Sequence, residues 1–182
     1  LSWQIGPKKE KSTCKAIKIT DQINDLLDDN EIQIVIEVMG TIQPAQTYIE
    51  ALLKSGKNVI TANKDLLATN GSQLIECAQQ NHVNLSYEAS VAGGIPILRT
   101  ISNSFTADQI IEVSGIVNGT SNYILTQMAE NHSTYQEALQ NAQALGLAEH
   151  DPTNDVSGKN SAYKMAILAE FAFGTTVPLE KI

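Results

Sequence analysis

The sequence predicts an α/β fold, with a parallel sheet and crossover helices in the first half and an α+β region with a mixed sheet in the second. Three observations carry this. Short β-branched runs alternate with helix-length amphipathic stretches between Ile32 and Glu88. Glycine, proline and asparagine punctuate the joins between them. From Pro96 onward helical patterns predominate, broken by one further strand-like run, Gln109 to Val117.

The elements follow in order. Leu1 to Lys15 carries little periodic signal. Gly6-Pro7 marks a turn, and Lys8, Lys9, Glu10 and Lys11 read as a solvated surface loop; beside a cofactor, the same basic loop could select a 2′-phosphate. Asp21 to Asp29 is a short amphipathic helix with Ile23, Leu26 and Leu27 on one side. Ile32 to Val38 is a strand ending at Met39-Gly40-Thr41. Pro44 opens a helix where its absent N–H costs nothing, and Gly56 closes it. Asn58 to Thr61 is the next strand and is followed by Lys64. Asp65 to Asn81 is a helix with Leu66, Leu67, Leu74, Ile75 and Ala78 mostly on one face, and Asn84 to Glu88 is a third strand. Such a series implies parallel strands with right-handed crossovers. Ligands of such sheets bind beyond the carboxyl ends of the strands, where Gly40, Lys64 and Glu88 sit.

In the second half, Ala92-Gly93-Gly94-Ile95-Pro96 is a tight turn into a helix. Asn118-Gly119-Thr120-Ser121-Asn122 joins the run Gln109 to Val117 to a helix from about Asn122 to Glu130. Small and hydroxyl residues there either cap the helix or offer N–H groups to an anion such as a carboxylate. Thr134 to Leu145 is the next helix, and Gly146 is placed to end it in a left-handed cap. Glu149, Asp151 and Asp155 then crowd one loop. Asp155 or Ser157 can cap the last helix, which buries Ala162, Met165, Ala166, Leu168, Ala169 and Phe173 and ends at Gly174. Asn160 and Lys164 are four residues apart, share one face and point toward the acidic loop. A lysine aimed at a carboxylate-rich turn suits a polar substrate that carries an amine.

Composition narrows the function classes. The 182 residues are 42% hydrophobic and 18% charged, with a formal charge of −8, which argues against nucleic-acid binding. No apolar run reaches the length of a membrane helix and nothing at Leu1 resembles a signal peptide, so a cytoplasmic protein is expected. Cys14 and Cys77 lack metal-type spacing and read as two reduced thiols.

Four long stretches carry a specific resemblance. They are Thr61-Ala62-Asn63-Lys64, Tyr87 to Pro96, Gly115 to Leu125, and Gly146 to Lys164. In this order, from about Ile32 to the last residue, the chain closely resembles homoserine dehydrogenase. The resemblance implies a partial Rossmann-like NAD(P)-binding domain over residues 1–91. It implies a substrate-binding, catalytic and dimerisation domain over residues 92–182. It also implies reversible hydride transfer between NADP or NAD and L-aspartate 4-semialdehyde, giving L-homoserine, within threonine, methionine and isoleucine biosynthesis. Lys164 and Lys64 become the catalytic candidates. Glu149, Asp155, Asn160, Gly119 and Thr120 become substrate ligands, and Gly40, Thr41 and Lys64 cofactor contacts. The main-chain carbonyls of Glu88, Val91, Gly93 and Ile95 become a sodium site, and a homodimer is implied. One departure stands out: the family pattern has Asp where this chain has Asn160, and an amide carries no charge.

The fingerprint Gly-x-Gly-x-x-Gly is nowhere in the sequence. The expectation is therefore a chain that enters the cofactor domain part way and, by itself, binds NAD(P) weakly and is inactive. Three rival readings are a degenerate paralogue that binds the amino acid without turnover, a structural dimerisation module, and another amino-acid dehydrogenase of similar architecture.

Overall fold

The computed structural model describes residues 2–5 and 17–182. The turn at Gly6-Pro7, the basic loop Lys8 to Lys11 and Cys14 lie outside the described residues. Cys77 is a free thiol. The chain divides into two compact units. One holds the described residues up to Asn63 with Asn70–Tyr87, and the other holds Lys64–Thr69 with Glu88–Ile182.

The first unit contains two parallel sheets. Strand β1 (Ser2–Ile5) pairs with β2 (Ile17–Thr20), and β3 (Ile34–Glu37), β4 (Asn58–Thr61) and β5 (Leu85–Ser86) form a second sheet in that order. Strand β1 falls in the stretch Leu1 to Lys15 that carries little periodic signal, and β2 in residues for which the sequence predicts no element. Helix α1 (Asn24–Leu27) is shorter than the stretch Asp21 to Asp29 expected of it, with Leu26 as its buried residue. Parallel strands need crossover connections. Helix α2 (Ala45–Lys54) supplies the first and α3 (Lys64–Gln80) the second.

Helix α2 starts after Pro44 and buries Ala45, Ile49, Leu52 and Leu53, the spacing of one helical face. It ends as expected at Gly56, whose φ of +82° suits a residue without Cβ. There the Gly56 N–H donates to the Leu53 carbonyl and the Lys57 N–H to that of Leu52, closing the helix in a Schellman motif. Lys57 is only 4% exposed, and its Nζ donates to the carbonyls of Asp29 (2.7 Å) and Ile32 (3.0 Å). The ammonium thus ties the turn after α1 to the residues entering β3.

On the buried face of the β3–β4 pair, Glu37 stands in register with Thr61. The Thr61 hydroxyl donates to Glu37 Oε2 at 2.6 Å, and the Met39 N–H donates to Oε1. Both carboxylate oxygens are therefore satisfied although Glu37 is 6% exposed, as a buried charge requires. The opposite face presents Ile34, Ile36 and Ile60.

The second unit is helical. After a 3-10 turn at Glu88–Ser90 come α4 (Ile97–Ser104), α5 (Gly119–Glu130), α6 (Tyr135–Ala144), α7 (Thr153–Val156) and α8 (Lys159–Phe173). Helices α5 and α6 pack through Ile124, Ala138, Ala142 and Ala148, with Tyr123 and Leu139 against them. Helix α8 buries Tyr163, Ala166, Ile167 and Leu168.

Three expectations need correction. No strand is assigned to residues 109–117, nor anywhere after Ser86 among the described residues, so the mixed sheet is not formed there. A strand exists through its ladder, and this segment finds no described partner; Ile111 (89%) and Ile116 (75%) stand exposed along it. Strand β5 stops at Ser86, so Glu88 begins the 3-10 turn instead of ending the strand. Neither Asp155 nor Ser157 caps α8. Asp155 lies within α7 and Ser157 is its C-cap, so Gly158, with φ of +81°, directly precedes α8 and occupies that position without a side-chain bond.

Candidate active site

The second unit gathers Gly119, Thr120, Asp155, Asn160 and Lys164 around the start of α5, the short helix α7 and the first turns of α8. Asp155 lies on α7. Its Oδ1 accepts two hydrogen bonds, from Asn118 Nδ2 at 2.7 Å and from Asn160 Nδ2 at 2.6 Å. Its backbone carbonyl accepts from the Ser121 hydroxyl at 3.0 Å. Asn118 is also the N-cap of α5, its Oδ1 accepting from the Ser121 N–H at 2.7 Å.

Lys164 projects from α8, and its Nζ donates to the Val117 carbonyl at 2.6 Å. Its pKa is lowered from the ordinary lysine value, first by burial and then by the like charge of Lys64, with Asp155 opposing the shift. Lys64 opens α3, and its Nζ lies 3.2 Å from Asp65 Oδ1, an ion-pair distance without hydrogen-bond geometry. Lys64 and Asp155 thus both act electrostatically on Lys164. Perturbation of a lysine by burial plus a second cation is a pattern associated with functional sites.

Asn160 and Lys164, on one face of α8, have different hydrogen-bond partners. The Asn160 amide nitrogen is bonded to Asp155, while Lys164 is held by a backbone carbonyl. Thr120 is 7% exposed and its hydroxyl donates to the Leu147 carbonyl at 2.6 Å, which pins the start of the acidic loop to α5. Its side chain is therefore structural, and what α5 offers at Gly119 and Thr120 is first-turn backbone N–H. Glu149 is exposed. Its carbonyl accepts from Gln143 Nε2 at 3.2 Å, and among the described residues its carboxylate has no recorded partner.

Glu88, Val91, Gly93 and Ile95 lie along one loop in which Ala92 (φ +59°) and Gly93 (φ +58°) are both left-handed. The Glu88 carboxylate reaches ten residues on, accepting from the N–H groups of Leu98 (3.0 Å) and Arg99 (2.8 Å). It caps α4, which has no cap of its own at Pro96, and its charge suits that helix end. In the first unit, Gly40 has φ of +74°, and the Thr41 carbonyl accepts from Asn63 Nδ2 at 2.7 Å. The Asn63 N–H donates in turn to the Thr61 hydroxyl oxygen. Asn118, Glu37 and Asn63 are the residues that sequence reasoning passed over. Asn118 alone left a signal, as an Asn directly before a helix start.

Residues 96–182 match the family model described as homoserine dehydrogenase, and residues 6–88 match the one described as homoserine dehydrogenase, NAD binding domain. The homoserine dehydrogenase of Lactococcus lactis is 56% identical over 160 residues, 88% of this chain and 37% of that protein. The crystal structure of a homoserine dehydrogenase from Thiobacillus denitrificans matches with a TM-score of 0.85 at 41% identity, covering 89% of this chain and 38% of that one. A hyperthermophilic archaeal homoserine dehydrogenase in complex with NADPH matches with a TM-score of 0.78 at 27% identity, over 85% of this chain and 48% of that one. The chain spans about two fifths of the length of the curated relatives it matches. Both models carry the description homoserine dehydrogenase and together they cover nearly the whole sequence, and the chain belongs to the homoserine dehydrogenase family.

Proposed function

We propose that the protein carrying this chain interconverts L-aspartate 4-semialdehyde and L-homoserine with NAD(P)H, serving threonine, methionine and isoleucine synthesis. The observation that carries this reading is the Asp155 carboxylate held by Asn118 and Asn160, with the Lys164 ammonium on the Val117 carbonyl just before Asn118, in a chain of this family. When bound, the dinucleotide supplies or accepts the hydride. The chain's residues bind the amino acid and manage one proton. The carboxylates of Glu149 and Asp155 accept charge-assisted hydrogen bonds from the substrate ammonium. The backbone N–H groups of Gly119 and Thr120 hold its carboxylate at the start of α5. In reduction, the Lys164 ammonium polarises the aldehyde oxygen and gives it a proton, with Lys64 as the second cation; in oxidation, the neutral amine takes the hydroxyl proton. Asn160 acts on the substrate through Asp155. Gly40, Thr41 and Lys64 are assigned to cofactor contacts because each follows a parallel strand at its carboxyl end.

The loop from Glu88 to Ile95 suits a hard cation such as sodium. Two successive left-handed residues curl it. The carbonyls of Glu88 and Ile95 each accept one bond, from the N–H groups of Val91 and Ile97, and a carbonyl oxygen keeps a second lone pair. A homodimer through residues 92–182 and a cytoplasmic location complete the reading. No helix among the described residues is long and apolar enough to cross a membrane.

Initial rates with L-homoserine and NAD(P)⁺, measured on the protein expressed from its complete reading frame, test this. Lys164→Ala and Lys64→Ala should each lower kcat by about 10²-fold with an unchanged circular dichroism spectrum. Near-normal kcat in both variants would remove the lysines from the proton transfer. Because the Lys164 pKa is lowered, the alkaline limb of the reduction profile should fall below the ordinary lysine value of 10.5. Omitting sodium should lower activity or stability if the loop binds it, and sedimentation should give a dimer mass.

A further inference from the structure

We infer that Asn118 and Asn160 form an amide clamp that fixes the Asp155 carboxylate and reserves its second oxygen for the substrate ammonium. The inference rests on the proposed role of Asp155 as an ammonium acceptor and adds two positioning residues to it. Both amides donate to the same oxygen, Oδ1, at 2.7 and 2.6 Å. Two donors occupy the two lone pairs of that oxygen. Oδ2 has no recorded bond among the described residues, so the clamp sets its direction without competing for it.

The two amides are held from opposite sides. Asn160 sits in the first turn of α8, on the same chain segment as Asp155. Asn118 reaches Asp155 from the start of α5, and its own orientation is chemically forced. Its Oδ1 must face the Ser121 N–H, which only donates, so its Nδ2 faces the carboxylate, which only accepts. An aspartate at position 118 would serve the cap and repel Asp155; a serine or threonine would cap α5 but lack the second arm. Only an amide of this length does both. The Ser121 hydroxyl, bonded to the Asp155 carbonyl, holds the backbone of α7 to the same helix start. Lys164 from α8 interacts electrostatically with Asp155, and Lys64 from α3 with Lys164. Neither lysine is bonded to Asp155 Oδ1; the two amides are the groups that hold that oxygen.

The experiment is a KM and kcat series for L-homoserine between pH 6 and pH 9 on the protein from its complete reading frame, comparing wild type with Asp155→Asn, Asn118→Asp and Asn160→Ala. Asp155→Asn should raise KM by about tenfold or more, the scale of a hydrogen bond to a charge. Asn118→Asp keeps the α5 cap but sets a carboxylate against Asp155. Its KM should rise by about tenfold or more, because a donor to Oδ1 is replaced by a like charge. Asn160→Ala removes one donor and should raise KM severalfold at every pH. In both, kcat should change less than KM, because a ground-state contact is lost. If Asp155→Asn leaves KM unchanged, the ammonium role of Asp155 fails. If Asp155→Asn raises KM while Asn118→Asp and Asn160→Ala match wild type, the role stands and the clamp fails. If Asn118→Asp does not fold, Asn160→Ala decides, and an unchanged KM there overturns the clamp.

Discussion

Helices α5 and α6 follow one another, pack on the same small apolar cluster, and begin in opposite ways. Helix α6 caps itself. The Thr134 hydroxyl oxygen accepts from the Glu137 N–H, and Glu137 Oε2 accepts from both the Thr134 N–H and its hydroxyl. Every group in that box belongs to the helix it serves. Helix α5 is capped by Asn118, whose other end leaves the helix for Asp155, 37 residues further on. The first arrangement stabilises a helix and nothing else. The second makes the stability of a helix start and the geometry of a remote carboxylate depend on one side chain.

The comparison is broken hardest at Asn118. Asn118→Ala removes a cap worth about 1 kcal/mol and a hydrogen bond to a charged group worth about 1.5–3 kcal/mol, so urea denaturation should show a loss of roughly 2–4 kcal/mol. The same variant should raise KM for homoserine.

The far end of α6 offers a smaller effect. Gly146 has φ of +71°, and its N–H and that of Leu147 bond the carbonyls of Gln143 and Ala142 in a Schellman motif. A Cβ there meets nothing within 4 Å. Gly146→Ala should therefore cost only the left-handed backbone strain, about 1–2 kcal/mol by thermal melting.

Thr134→Ala sharpens the contrast with Asn118. It should cost about 1 kcal/mol or less and leave KM and kcat at wild-type values. A kinetic change there would show that the α6 cap is not self-contained.

The smallest effect is expected at Glu137. Bonds from the Thr134 N–H and hydroxyl hold its carboxyl below the ordinary value of 4.5. A lowered folded value means that its contribution is present above the unfolded pKa and lost as pH falls through the folded one. Glu137→Gln should accordingly lower stability slightly at neutral pH and leave it nearly unchanged at low pH, so that the curve flattens below about pH 4.5, as melts across that range would record.

The same two helix starts explain what sequence alone made legible. The α6 start is a local pattern, with the hydrophobic period resuming after Thr134, and its position was read within one residue. Strand β4 and the turn at Gly56 were legible for the same reason, since β-branched runs and glycine caps act over a few residues. In the acidic loop, the chemistry-bearing residues stood out by type and spacing. Their partners did not. Asn118 and Asp155 meet only because α5, α7 and α8 fold together, and the partners of Asn160 and Lys164, the Asp155 carboxylate and the Val117 carbonyl, lie on other segments of that same assembly. Residues 109–117 show the converse failure. Their composition favours a strand, but pairing is a property of two segments, and one sequence stretch cannot announce whether a second will be present.

The buried ammonium of Lys57 has a further consequence for how the first unit can be watched. Lys54, one turn earlier, keeps its side chain 63% exposed, whereas Lys57 is 4% exposed with two of its three protons on carbonyls. An amine-reactive label added to the native chain should mark Lys54 within its normal reaction time and pass over Lys57. Acylation of Lys57 then requires the turn after α1 to part from β3. The rate at which that one lysine becomes labelled is a clock for local opening, readable by mass spectrometry with no engineered probe.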